Sequence, residues 1–73
     1  MTAGSRAETG QAEPLTARQQ QVAELVVEGL TNPEIAVRLG ISTGTVRSHV
    51  TQMLTRLGLS SRTQLAARTV RAR

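Results

Sequence analysis

Apolar side chains recur along residues 15–73 at intervals of three and four positions, the spacing typical of helices with one buried face. The clearest case is a single stripe over three turns, formed by Val46, Val50, Met53, Leu54 and Leu57. No segment shows the alternation of a half-buried strand. The pattern predicts an all-α, four-helix fold with helices at about residues 17–28, 32–39, 43–57 and 62–71.

Capping residues and glycines support these boundaries. A side chain able to cap a helix start precedes each segment: Thr16, Thr31 or Asn32, Ser42 and Ser61. The second start stays open between Thr31, which forms a capping-box pattern with Glu34, and Asn32, which precedes a proline. A glycine suited to a left-handed turn follows each of the first three helices: Gly29, Gly40 and Gly58.

The link between the second and third predicted helices is very short, since it consists only of Gly40, Ile41 and Ser42. Such a link, with glycine first, predicts the sharp crossing of a helix-turn-helix. Small Ala36 suits the close approach of the two helices, and Ile41 is expected to enter the core. Because two short helices cannot bury their own apolar faces, the first and fourth helices are expected to complete the core.

Composition narrows the classes of function. Residues 1–14 are small and polar without periodicity, which predicts a disordered arm or linker before a domain at 15–73. A chain of 73 residues without cysteine has little room for a deep pocket and cannot form a disulfide or a zinc finger. We therefore expect no enzyme activity, cofactor or metal, and place the single histidine, His49, half-buried beside the core or against a phosphate. With neither a membrane span nor a signal peptide in the sequence, a cytoplasmic location is expected.

Charge is strongly segregated along the chain. The first 34 residues hold two arginines and all five glutamates, a net charge of −3, whereas residues 35–73 hold seven arginines and no acid, which gives +7 and the total of +4. A basic block of this kind is typical of a polyanion-binding surface. The absence of Phe, Tyr and Trp favours duplex DNA, because proteins that grip single strands usually stack bases on aromatic rings.

The polar face of the third predicted helix carries the candidate DNA contacts. Four side chains near its start and middle are the candidates for base contacts: Arg47, Ser48, Thr51 and Gln52. Arginine can bind guanine O6 and N7 together, and threonine can offer its methyl group to thymine. Candidate phosphate contacts are Thr43 and Thr45, through free backbone amides in the first turn, and Arg56. Taken alone, such a face is more often the ordinary solvated side of a core helix, and the arginines can reflect a codon bias. In combination with the short glycine turn and the basic half of the chain, the face favours DNA binding.

Five blocks of the sequence resemble the LuxR/FixJ-type (NarL-type) DNA-binding domain of bacterial transcription regulators. They are L-T-A-R at 15–18, E-G-L-T-N-P-E-I-A at 28–36, L-G-I-S at 39–42, T-V-R-S-H-V at 45–50 and L-G-L-S-S-R-T-Q at 57–64. The likeness extends over residues 15 to about 70. Gln19 and Gln21 stand where this family commonly has glutamates, and Gly44 where it often has a longer polar residue.

The resemblance implies sequence-specific binding of duplex DNA with the third helix in the major groove, in a transcription regulator such as a response regulator. It implies DNA contacts at Arg47, Ser48 and Thr51, and backbone contacts at Arg62 and Thr63. It also implies a homodimer on DNA through the fourth helix, whose candidate contacts are Ala66, Thr69 and Val70. RNA polymerase is a further candidate partner.

Two other interpretations stay open at this point. G-T-V-R-S at 44–48 also resembles the promoter-reading last domain of bacterial sigma factors, although residues 57–64 fit the LuxR type better. A different class of function is a protein-interaction or dimerisation module, in which the arginines only confer solubility. Steep salt dependence of binding to random duplex DNA would distinguish DNA binding from such a module.

Overall fold

The computed structural model describes residues 15–73, which form four helices without a strand among them. They are α1 (Ala17–Val27), α2 (Asn32–Leu39), α3 (Thr43–Leu57) and α4 (Arg62–Arg71). The predicted all-α class is confirmed, and the four predicted ranges agree with these bounds to within one residue. The arm predicted at 1–14 lies outside the described residues.

Each helix begins where a hydroxyl side chain accepts a hydrogen bond from a backbone amide three residues on. At α2 the N-cap residue is Thr31 rather than Asn32. Thr31 Oγ1 accepts a hydrogen bond from Glu34 N, and the Glu34 carboxylate accepts one from Thr31 N at 2.8 Å. The same reciprocal capping box joins Thr16 and Gln19 at α1. These bonds satisfy amides that the helix itself leaves without partners.

The turn between α2 and α3 depends on a left-handed glycine. Gly40 has φ +70° and ends α2, and the amide of Ile41 reaches back to Ala36 O at 3.0 Å. This is the Schellman arrangement, and it places the apolar residue that follows the glycine against the core, where Ile41 packs. The predicted short turn between α2 and α3 is thus built from one local motif.

One core joins all four helices. Its largest fully buried side chains come from every element: Val22, Ile35, Val46, Met53 and Leu65. Helix α1 packs against α4 and α3, and α2 packs against α3, so the outer helices complete the core of the helix-turn-helix as expected. All five residues of the predicted stripe on α3 lie in the core or pack against it, with Met53 fully buried and Leu54 half-buried at the edge of the core. Within residues 15–73, no helix has the length and apolar character needed to cross a membrane.

Candidate nucleic-acid interface

The surface of α3 divides cleanly into a buried half and an exposed half. Its buried residues are Val46, Val50 and Met53. Its exposed residues are Gly44, Thr45, Arg47, Ser48, Thr51, Gln52, Thr55 and Arg56. At about 100° per residue, these eight positions cover one continuous arc of about 180°. We call this arc the α3 polar face.

The four candidate base contacts lie together on the α3 polar face, as the sequence predicts. Arg47, Ser48, Thr51 and Gln52 are all exposed and fall within two turns of the helix. Arg47 makes no hydrogen bond or ion pair with any other residue of the described chain, so its guanidinium is available to a ligand. The face therefore presents one long basic side chain among shorter hydrogen-bonding groups.

The first turn of α3 differs from the expectation of free amides at both Thr43 and Thr45. Ser42 Oγ accepts a hydrogen bond from Thr45 N at 3.0 Å and lies 2.8 Å from Thr45 Oγ1. The Thr45 amide is therefore not free, because the N-cap side chain already satisfies it. The amides of Thr43 and Gly44 precede the first hydrogen bond of the helix and stay open to an anion.

Neither α3 nor α4 contains an acidic residue. In the described chain the acidic residues are Glu24 on α1, Glu28 at the end of α1 and Glu34 on α2. A hydrogen bond from the Arg73 guanidinium holds the pKa of Glu24 below its usual value. The backbone amide of Thr31 does the same for the pKa of Glu34. Both carboxylates are thus already engaged inside the chain, and the α3 polar face carries no negative charge.

Arg62 has an internal role that the sequence does not reveal. Its guanidinium donates to Leu30 O at 2.7 Å and to Asn32 Oδ1 at 2.6 Å, from a half-buried position. It therefore ties the start of α4 to the turn between α1 and α2. A phosphate contact by Arg62 stays a prediction that must coexist with these bonds, whereas neighbouring Thr63 is exposed.

The fourth helix offers less surface to a partner than the sequence suggests. Thr69 is only 7% exposed, and its hydroxyl donates to Leu65 O at 2.8 Å. It faces the core of its own chain because it lies one turn after fully buried Leu65, so little of its surface is left for the predicted dimer contact. Ala66 is half-buried against the core, and Val70 is 47% exposed. Dimer contacts at Ala66, Thr69 and Val70 stay a prediction, and among these three residues Val70 is the exposed one.

Two further polar residues, Gln19 of α1 and His49 of α3, lie between the α3 polar face and the core. Gln19 of α1 is only 5% exposed and donates through Nε2 to Gln52 Oε1 at 3.3 Å, a contact absent from the sequence analysis. His49 is half-buried, and its Nδ1 is buried without a hydrogen-bond partner among the described residues. No group of three or more His, Cys, Asp or Glu residues within 15–73 is placed to hold a metal ion.

Comparison with known proteins identifies the family. Residues 13–69 match the family described as bacterial regulatory proteins, luxR family. The chain is 42% identical over 60 residues to the transcriptional regulatory protein UhpA of Escherichia coli, covering 82% of this chain and 31% of UhpA. It is 52% identical over 52 residues to the two-component response regulator PprB of Pseudomonas aeruginosa, covering 71% of this chain and 19% of PprB.

A third relative is the transcriptional regulatory protein LiaR of Bacillus subtilis, 44% identical over 54 residues, which cover 74% of this chain and 26% of LiaR. The chain thus spans less than a third of the length of these curated relatives. The match favours the LuxR interpretation over the sigma-factor resemblance, since it covers all of α1 to α3 and most of α4. The chain belongs to the luxR family of bacterial regulatory proteins, and it is a helix-turn-helix domain for DNA-binding transcription regulation.

Proposed function

We propose that this chain binds a specific sequence of duplex DNA by inserting the α3 polar face into the major groove. The observation that carries the proposal is the uninterrupted exposed arc of hydrogen-bonding side chains on α3, which holds two arginines and no acid. The major groove is about 12 Å wide and admits a helix of this kind. The short turn at Gly40 leads directly into α3, whose first turns expose Gly44, Thr45 and Arg47.

The side chains on the α3 polar face differ in length and therefore in the DNA groups that they can contact. Arg47 suits guanine O6 and N7, while Ser48 and Thr51 offer shorter hydroxyl contacts to base edges on the same side of the helix. The phosphate contacts fall at the borders of the face: the first-turn amides with Thr43 and Thr45, then Arg56, and Arg62 with Thr63 at the start of α4.

The proposal extends to partners and setting. We assign the chain no cofactor or enzymatic step and place its action in the bacterial cytoplasm, where DNA is available. It would pair as a homodimer on DNA through α4, and RNA polymerase is a candidate partner of the bound complex. UhpA, PprB and LiaR carry regulatory names, and we propose a role of the same kind here.

The test is Arg47→Ala, with Arg71→Ala as the control that removes the same charge from exposed α4 surface. The chain is first used to enrich sequences from a pool of randomised duplex DNA. Affinity is then measured for the enriched duplex, for its single base-pair variants and for random duplex. Arg47→Ala should lose roughly 1–3 kcal/mol of discrimination at one base pair, because a bidentate arginine–guanine contact is lost.

Arg71→Ala should leave the base preferences unchanged and at most weaken binding to all duplexes alike. Equal losses for Arg47→Ala on enriched and random DNA would assign Arg47 to phosphate and contradict its base contact. Failure of the wild-type chain to enrich any sequence would contradict sequence-specific binding itself.

A further inference from the structure

A relay of two hydrogen bonds connects a backbone amide in front of α1 to the α3 polar face. Thr16 N donates to Gln19 Oε1 at 3.2 Å, and Gln19 Nε2 donates to Gln52 Oε1 at 3.3 Å. Gln19 is 5% exposed, so water does not compete freely for its amide. Gln52, in contrast, is exposed and lines a shallow groove on α3 with Thr51, Thr55 and Arg56.

The relay has a fixed polarity because it starts at a group that only donates. A backbone N–H cannot accept, so Gln19 must turn its carbonyl oxygen towards Thr16. This leaves the Gln19 amide nitrogen, which also only donates, facing Gln52. Gln52 must meet it with Oε1, and its own Nε2 is left for the exposed side.

We propose that Gln19 is a positioning residue that makes Gln52 a donor-only contact to DNA. This inference rests on the proposed insertion of α3 into the major groove. A glutamine with a free amide can match adenine, which needs one donor and one acceptor from the side chain. The Gln52 carbonyl oxygen has two lone pairs, but it is turned towards Gln19 of α1, so the amide presents Nε2 on the exposed side and selects an acceptor without a paired donor. The candidates are guanine O6 or N7, thymine O4 and a phosphate oxygen.

Gln19→Glu tests the polarity of the relay. A glutamate still accepts from Thr16 N and keeps the capping box, but its second oxygen cannot donate to Gln52. Gln52 should then rotate its amide, donate to the introduced carboxylate through Nε2 and present Oε1 outwards. The control is Gln21→Glu, which adds the same charge at an exposed position two residues along α1. A thermal melt of each variant confirms that the fold is kept.

Enrichment from a randomised duplex pool and affinity measurements on the enriched duplexes give the readout. If Gln52 contacts a base, Gln19→Glu should shift the preference at one position by roughly two- to tenfold, from guanine or thymine towards adenine or cytosine. If Gln52 contacts a phosphate, the preferences should stay and affinity for every duplex should fall by roughly two- to tenfold relative to Gln21→Glu. Either result supports a donor-only Gln52, and the preference profile separates the two acceptors.

The same comparison in a Gln52→Ala background separates the relay from simple charge repulsion. The effect of Gln19→Glu beyond that of Gln21→Glu should disappear there, because Gln19 acts through Gln52. An effect that persists without Gln52 would overturn the proposal, as would identical affinities and preferences of Gln19→Glu and Gln21→Glu. A wild-type chain that enriches no sequence would instead refute the proposed DNA binding, so the two failures are distinguishable.

Discussion

Arg62 shows that the arginines of this chain do not all serve the same purpose. Its guanidinium is engaged by Leu30 O and Asn32 Oδ1. Arg18 donates to Leu39 O at the end of α2, and Arg73 pairs with Glu24. Arg47 has no such partner among the described residues. Net charge alone therefore overstates the number of arginines that are available to DNA.

Arg62→Lys should destabilise the fold by about 1–3 kcal/mol. An ammonium group keeps the charge but cannot reproduce the planar fork that donates to two acceptors on different residues. Urea unfolding of the variant measures the loss. Arg71→Lys is the matched control, since Arg71 is exposed, and it should change the free energy of unfolding by less than about 0.5 kcal/mol. Equal stability of both variants would show that the Arg62 bonds contribute nothing net.

Residue-scale contacts were the part of the site that the sequence could not predict. The Arg62–Asn32 and Gln19–Gln52 pairs are separated by 30 and 33 residues, and neither side chain type implies the other. Their formation depends on how the helices pack, which periodicity alone does not determine. In contrast, the exposure of Arg47 and Thr51 follows from helix phase, and the sequence predicted it.

At the scale of elements, Gly40 in the α2–α3 turn and Gly44 in the first turn of α3 allow the same glycine-to-alanine change to be compared at two positions. Gly40 has φ +70°, where a Cβ would meet no atom within 4 Å, so its replacement costs backbone strain alone. Gly44 is helical, and a Cβ there would lie 3.9 Å from Ser42 Oγ, an ordinary contact. Gly40→Ala should therefore destabilise the domain by about 1–2 kcal/mol, whereas Gly44→Ala should stabilise it by about 0.5–1 kcal/mol.

Thermal or urea unfolding of both variants tests whether Gly40→Ala lowers, and Gly44→Ala raises, the free energy of unfolding. Since the chemical change is identical, a difference in unfolded-chain entropy between them is small and the contrast reports the native backbone. A stabilising effect of Gly40→Ala would contradict the left-handed turn on which the helix-turn-helix crossing depends.

The stripe on α3 makes Met53, rather than Leu54, the most sensitive core position of that helix. Met53 is fully buried and Leu54 only half-buried. Met53→Ala should cost about 2–5 kcal/mol through lost contacts and a cavity. The total stability expected for a domain of this size is only about 3–9 kcal/mol. Circular dichroism during urea unfolding should show this loss, and Thr55→Ala, on the exposed side, should stay close to wild type.

Met53→Leu keeps the prediction measurable if the alanine variant does not fold. It conserves volume and should cost less than about 1.5 kcal/mol. A larger loss for Leu54→Ala than for Met53→Ala would contradict the fuller burial of Met53.

Helix bounds were predictable because their determinants are local. The capping bonds at Thr31 and Ser42 span three residues, and the turn at Gly40 is specified within its own neighbourhood. The degree of burial within the α3 stripe was less predictable, since adjacent Met53 and Leu54 both lie on the apolar side and the neighbouring helices decide which is covered fully.

At the scale of the whole molecule, the charges that are segregated along the chain are also divided between the helices. The described glutamates lie on α1 and α2, whereas α3 and α4 carry only arginines as charged groups. The Arg73–Glu24 pair joins the chain end after α4 to α1, where the two helices pack. As pH falls through the lowered pKa of Glu24, this carboxylate is protonated and the stabilisation from the pair is lost.

The same charge distribution bears on self-association through α4. Val70 is exposed, with Arg68 two residues before it and Arg71 one residue after it on α4, whereas Arg73 beyond the helix already pairs with Glu24. Two copies would bring these arginines together over a small apolar contact, which is unfavourable in water. On DNA, phosphates offset the repulsion and adjacent half-sites raise the local concentration of the second copy. We therefore propose a monomer in solution and a pair on two adjacent half-sites.

Val70→Lys tests this arrangement without disturbing the core, because the side chain it replaces is 47% exposed. The control is Val37→Lys, the same change on α2, where Val37 is 84% exposed and far from the proposed contact in sequence. Sedimentation should find both variants and the wild type monomeric without DNA. On a duplex with two enriched half-sites, the wild type and Val37→Lys should bind cooperatively, with about 1–3 kcal/mol of coupling. Val70→Lys should keep its affinity for one half-site and lose the coupling, since the added charge enters the paired surface. Cooperative binding by Val70→Lys, or a stable wild-type dimer without DNA, would refute pairing through this surface.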